Sequence, residues 1–244
     1  MRRLSKAVPV ALSLASLCLL GVFAASCGSS GSAKVRLIDA ISDGNTGLDV
    51  DVNGTKVFTN ITFASPVQPT PPAYMGVPSG AVTLEAVDTG TTTAVIANTN
   101  ASFSGSAQYT EVMTGFTNGS GTSAPTFWTV SDNNTAPTAG NVEFRIINGS
   151  TNSLPLSGGL DVYIVQPGQG LGTPQVSGLT LGQGSAYITE NFNAAGYTVY
   201  VTPHGIQNVF FNITYQTPTG SIRTLVIVDS GNSISSFLEL NDLG

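Results

Sequence analysis

Cysteine, histidine and charge are all scarce in this chain. Its 244 residues hold two cysteines, one histidine and one tryptophan, and only 9% are charged, against about 25% in ordinary globular proteins. A zinc site of three or four His and Cys ligands cannot be built from that stock. No stretch shows the sustained apolar period of a helix, which excludes helical bundles and doubly wound sheets. Thr, Ser, Asn and Gly take the place of the missing charges. The hydrophobic fraction of 41% still suffices for a packed core and argues against disorder.

The first 26 residues read as an export signal. Met1 to Lys6 carries Arg2, Arg3 and Lys6, and an apolar run from Ala7 to Phe23 follows, interrupted by Pro9, Ser13, Ser16 and Gly21. That run is shorter than the roughly 20 continuous apolar residues of a membrane span. It ends in small residues, Ala24-Ala25-Ser26, ahead of Cys27, so cleavage is expected there. The pattern is that of a bacterial lipoprotein, and Cys27 is the expected lipidation site. Gly28, rather than Asp, follows it, which favours the outer membrane or cell surface. Gly28 to Ser32 is a flexible spacer, so residues 27–33 form a short tether.

Cleavage removes three basic residues and Cys18, leaving five basic against fourteen acidic residues and a net charge of −9. Such a balance excludes nucleic acid as a partner and electrostatic docking on anionic lipid. An acylated Cys27 is the only cysteine left, so no disulfide, Cys-His pair or thiol ligand remains. Each domain is then held by its apolar core alone.

The rest of the chain reads as all-β. Short runs rich in Val, Ile, Thr, Tyr and Phe recur between Gly, Pro, Asn and Ser punctuation. Their order repeats. Lys34–Ala40 matches Asn141–Ile147, Gly47–Val50 matches Gly159–Val162, and Ala73-Tyr74 matches Ala186-Tyr187. Ala81–Val87 matches the strand from Tyr197, Tyr109–Thr114 matches Arg223–Val228, and Phe127–Val130 matches Phe237–Leu240. The offsets stay between 107 and 116 residues, too long for a solenoid repeat. The expectation is two tandem immunoglobulin-like β-sandwich domains of about seven strands each, at 34–130 and 141–244. Between them, residues 131–140 form a polar linker that permits hinge motion.

Asp49–Gly54 (DVDVNG), the strand to Asn60, Tyr74, Val77-Pro78-Ser79-Gly80 and Ser106–Gly115 resemble the DUF4397 family, extracytoplasmic bacterial domains often borne by lipoproteins. Val35–Ala40 opens the first unit in the same way, with Asp39 where the family usually has His. The second unit keeps Leu160-Asp161-Val162-Tyr163. The resemblance implies a β-sandwich in the cell envelope and no catalytic residues.

The residues themselves carry little chemistry. His204 sits between Pro203 and Gly205 and reads as a surface turn residue, which argues against a Ser-His-Asp triad. Asp39, Asp43, Asn45, Asp49 and Asp51 were weighed as calcium ligands, but their spacing fits no EF-hand. The bland reading is a solvated acidic edge, with Asp49 and Asp51 on the solvent face of one strand. Gly168–Gly172 lacks the Lys-Ser/Thr of a phosphate loop. Phe127, Trp128 and Val209-Phe210-Phe211 read as core. The expected protein has no cofactor and is not an enzyme. It is a lipid-anchored envelope module, structural or binding, with an unknown protein or glycan partner. The alternative is a carbohydrate- or calcium-dependent adhesion module.

Overall fold

The computed structural model describes residues 31–44, 47–63 and 74–243. The signal segment, Cys27 and Asn45 lie outside them. Sixteen strands form two sandwiches. The first is built from β1 (Ala33–Asp39), β2 (Leu48–Val52), β3 (Thr55–Ile61), β4 (Met75–Val77), β5 (Gly80–Asp88), β6 (Ala94–Phe103), β7 (Gln108–Thr114) and β8 (Thr126–Asp132). The second is built from β9 (Asn141–Asn148), β10 (Leu160–Val165), β11 (Val176–Leu179), β12 (Ile188–Asn191), β13 (Tyr197–Pro203), β14 (Phe211–Tyr215), β15 (Ile222–Ser230) and β16 (Ser233–Asn241). Each unit thus has eight strands rather than the expected seven, the extra one being a short edge strand.

The two units share one topology. In the first, sheet β4-β1-β7-β8 packs on sheet β3-β2-β5-β6; in the second, β12-β9-β15-β16 packs on β11-β10-β13-β14. In both, the first and seventh strands pair in parallel. The architecture is a two-sheet sandwich, but the strand order differs from the A-B-E-D and C-F-G order of immunoglobulins.

Alternation explains the packing. Val35 and Leu37 of β1 enter the first core, with Val50, Leu84, Ile96, Phe103 and Met113. Ile38 and Ala40, out of phase with them, face away from it. Yet they are buried, because the first sheet of each unit lies against that of the other. Ile38, Ala40 and Val112 meet Ile147, Val226, Val228, Leu238 and Leu240 in a third apolar cluster. The hinge expected from the linker is therefore wrong. Two β-sheets bury their outer faces on each other, and opening them would expose that cluster to water.

Glycine permits the close approach. Gly182 has φ +78°, and a Cβ there would sit 2.0 Å from the Trp128 ring. Trp128 accordingly packs on the second unit and is 38% exposed, whereas Phe127 enters the first core.

The register also orients the pair. Ala33, Gln108 and Asp132 share one end of the first unit. Asn141 and Asn241 share the corresponding end of the second. The opposite end carries the β1–β2, β5–β6 and β7–β8 connections, beside those after β9 and β13. The two loop ends touch where Gly115 N–H donates to Thr151 Oγ1 at 3.0 Å.

Candidate functional site

The most elaborate constellation is the seam between the sheets. Arg36 on β1 and Arg145 on β9 are both essentially fully buried. Arg36 Nη2 donates to Asp242 at 2.7 Å, and Arg145 Nη2 to Asp132 at 2.6 Å, so each arginine pairs with the other unit's aspartate. Within its own unit, Arg36 Nε donates to Thr110 at 2.8 Å and Arg145 Nε to Thr224 at 3.0 Å. Each threonine hydroxyl donates a hydrogen bond to its own unit's aspartate, at 2.9 and 2.7 Å. Tyr74 and Tyr187 lie 5.0 Å from the guanidinium carbons of Arg36 and Arg145 and donate to Asp132 and Asp242. The eight residues form four equivalent pairs about a pseudo-two-fold axis. Such an arrangement is self-complementary in the way of a symmetric dimer interface.

Its electrostatics are balanced. Burial opposes charge on Arg36, but Asp242 and Asp132 overcome it and hold its pKa above the ordinary value. Burial raises the Tyr187 hydroxyl to about 12, and Tyr74 is raised from the same first cause. Both phenols therefore remain proton donors. Two cations and two anions leave no net charge in the seam. Its chemistry is cohesive, with each charged group paired, although Arg36 Nη1 is buried without a hydrogen-bond partner.

This equivalence corrects one sequence match. Arg36 lies beside Thr110 and Arg145 beside Thr224, so β1 aligns with β9 two residues further on than Lys34 against Asn141.

A second pair of buried acids sits on the other sheets. Asp49 accepts from Lys56 Nζ at 2.6 Å, Asn60 N–H at 2.9 Å and Thr89 Oγ1 at 2.9 Å. These bonds, led by Lys56, hold its pKa well below the usual carboxylate range. It is 4% exposed, so placing it in solvent was an error: the end of β3 and the β5–β6 turn cover it. Its equivalent, Asp161, accepts from Ser177 Oγ, Gly178 N–H, His204 Nδ1 and Gly205 N–H. Burial works against its charge, but these bonds outweigh burial and lower its pKa.

Ser177, His204 and Asp161 thus touch, but not as a triad. Ser177 Oγ lies 3.3 Å from His204 Nδ1, the nitrogen that Asp161 already holds at 2.9 Å. A nucleophile would have to meet Nε2. His204 is half-exposed, as expected for a turn histidine.

The calcium candidates are divided. Asp39 and Asp43 line a cavity of about 240 Å³ with Asp88 and Thr117. Asp43 is occupied by the backbone and hydroxyl of Thr117. Asp39 is buried, accepts the N–H of Ile41 at 2.9 Å, and is pushed up to about 7 by burial. Asp49 and Asp51 lie on the other sheet. Among the described residues, no three acidic, His or Cys side chains gather as a metal-binding group.

Sequence reasoning missed Glu111. It is fully buried on the core-facing side of β7, in phase with Tyr109 and Met113, with the Thr129 side chain across the β7–β8 pair as a polar neighbour and no well-formed hydrogen bond to either oxygen. Burial raises its pKa to about 7. Leu225 takes this place in the second unit.

The outer face of sheet β11-β10-β13-β14 was also missed. Tyr163, Tyr200 and Asn212 form a row across β10, β13 and β14. Beside it, the connection from Gln166 to Gln175 borders a cleft of about 250 Å³ lined by Tyr163, Gln166, Gln169, Thr173 and Gln175. Gln175 Oε1 accepts the N–H of Ile164, and Gln207 reaches Gly172 O at 3.4 Å. Phe211 does enter the core side, against Phe237. Val209 and Phe210 do not: they are 37% and 39% exposed, with Ile206 at 59%.

Fold and seam together define a tandem β-sandwich protein whose halves are welded by a buried ionic network. The chain belongs to the DUF4397 family, a domain of unknown function, which its residues 33–163 match. The match runs past the first sandwich through β9 and into β10, so Arg36, Thr110, Asp132 and Arg145 all fall within it. No curated protein matches the chain. A solved structure titled "Alpha-glucan binding by a streptococcal virulence factor" is similar over 84% of this chain and 96% of that one. Its identity is 10% and its TM-score 0.27, too distant to bear on what this chain binds.

Proposed function

We propose that this protein is a non-enzymatic binding or structural module of the cell envelope, anchored by lipid on Cys27. Residues 141–244 are read as a divergent second copy of the family domain. The observation that carries the reading is the fused seam. Buried Arg-Asp pairs join sheet β4-β1-β7-β8 of one unit to sheet β12-β9-β15-β16 of the other. β1 opens at Ala33, at the same end as the inter-unit connection. A tether of residues 27–33 would hold the molecule by this end and leave the opposite loops free.

The non-enzymatic reading is supported by the state of the reactive groups. Seam residues are bonded to one another, and the Nδ1 of the sole histidine is taken by Asp161. The acidic balance after Cys27 favours a neutral or basic partner over nucleic acid.

Mass spectrometry of the mature N-terminus from the native host tests the anchor. The expected mass is that of a chain starting at Cys27 with two or three acyl groups, and a Cys27→Ser variant should lose membrane association. An unmodified cysteine or an intact signal would overturn it.

A further inference from the structure

We infer that the outer face of sheet β11-β10-β13-β14, with the Gln166–Gln175 connection, is a binding site for a neutral oligosaccharide. The inference deepens the binding-module reading and rests on it.

The first argument is charge. Between Asp161 and Arg223 the only Asp, Glu, Lys or Arg is Glu190. Glu190 lies on β12, in the other sheet. Asp161 itself is buried and bonded to His204. The face therefore offers nothing to a charged ligand and charges no desolvation cost to a neutral one.

The second argument is the kind of groups present. Gln166, Gln169, Thr173 and Gln175 are exposed around the 250 Å³ cleft. An amide carries donors and an acceptor side by side, the pattern that adjacent sugar hydroxyls complement. Tyr163 is only 3% exposed, so the rings within reach of a ligand are half-buried Tyr200 beside it and Phe210, which flanks the row with 39% exposure. A partly exposed ring supplies a flat apolar surface with a polar edge, suited to the C–H face of a pyranose. The cleft is open and its lining is mainly polar, which suits a hydroxyl-rich ligand better than an apolar one.

The third argument is the twin unit, which shows what the fold does not require. There the equivalent strands β2 and β3 are joined by the two-residue turn Asn53-Gly54. The positions of Tyr163 and Tyr200 are filled by Asp51 and Glu85, which face each other across β2 and β5. The long amide-rich connection and the tyrosine pair are additions to a sandwich that folds without them.

The test is a titration of the purified mature protein with maltohexaose, cellohexaose, xylohexaose, mannohexaose and chitohexaose. Sialyllactose and oligogalacturonate are the charged counterparts. Calorimetry should show at least one neutral ligand binding. Tyr200→Ala and Gln169→Ala should each weaken it roughly tenfold or more. A Glu85→Gln change on the twin face should leave it unaltered. Replacing Gln166–Gln175 by Asn-Gly, the turn the first unit already uses, should abolish binding with the protein still folded. No neutral ligand binding at about 10 mM, a Kd too weak to count as recognition, would overturn the inference. So would binding confined to the charged sugars, or binding indifferent to both single substitutions. None of these outcomes touches the lipid anchor, which the mass measurement decides separately.

Discussion

The two sandwiches share strand order, the parallel first and seventh strands and the four residues each gives to the seam. They differ almost everywhere else that chemistry could sit. Where the first unit buries Glu111, the second buries Leu225; where the first has Asp39, the second has Asn148. Asp51 faces Glu85 in one, Tyr163 faces Tyr200 in the other. The two units thus match in the residues that meet at the seam, and on the outer sheets they share the buried Asp49 and Asp161 but little other chemistry.

The comparison breaks most severely at the seam. Arg36→Ala should strip Asp242 of its close ionic partner and leave it Arg145 at 3.9 Å, and Arg145→Ala should leave Asp132 only Arg36 at 3.5 Å. Removing one member of a buried pair costs about 3–5 kcal/mol. Urea unfolding should show losses of that size, similar for the two variants because the axis makes their settings equivalent. A much smaller loss at one of them would show the symmetry to be geometric but not energetic.

The next largest effect has the opposite sign. Glu111 has a folded-state pKa raised to about 7, above an unfolded value near 4.5. A carboxyl shifted upward binds its proton more tightly in the folded state. Its burial therefore costs nothing extra below about pH 4.5, costs progressively more as the pH climbs to 7, and costs most above that. At about 1.4 kcal/mol per pH unit this amounts to roughly 3 kcal/mol. Glu111→Leu, which copies Leu225, should stabilise the protein by about that much at pH 8 and scarcely at all at pH 4.5. Asp39 is raised to about 7 by the same cause, so Asp39→Asn, copying Asn148, should act in the same direction. Denaturant midpoints across pH 4–8 measure both. A pH-independent gain would mean that packing rather than ionisation is responsible.

A smaller effect is expected at the contact of Trp128 with Gly182. A Cβ at Gly182 would overlap the indole ring, and φ +78° already disfavours any side chain. Gly182→Ala should cost about 1–3 kcal/mol, the usual range for overpacking. It should also shift the fluorescence of Trp128, the single tryptophan. An unchanged emission maximum would show that the loop yields instead.

The repeat was legible because it was written in features that one strand displays by itself. Asp49 and Asp161, Tyr74 and Tyr187, and Phe127 and Phe237 stand in matching apolar contexts, and the structure puts each pair in equivalent strands or beside them. The alignment of β1 with β9 went astray by two residues for a physical reason. Strand side chains alternate with period two, so a slip of two keeps every residue on its original face. Only the two arginines, meeting the two aspartates across the seam, fix the register. Glu111 was invisible because a lone acid in an apolar strand reads as an outward-facing position. Asp49 was misplaced because its cover comes from Lys56, the end of β3 and the β5–β6 turn. Val209 and Phe210 were taken for core because their run continues into Phe211, which is core.

Composition and alternation alone determined that this is a β protein in two parts with an acidic balance. Those properties depend on each residue's own chemistry and on local period. Tertiary structure decided that the two parts pack on each other, which carboxyls are neutralised by partners, and which face is left without exposed charge. Those depend on which surfaces meet, and a strand's sequence specifies its two faces without specifying what covers them.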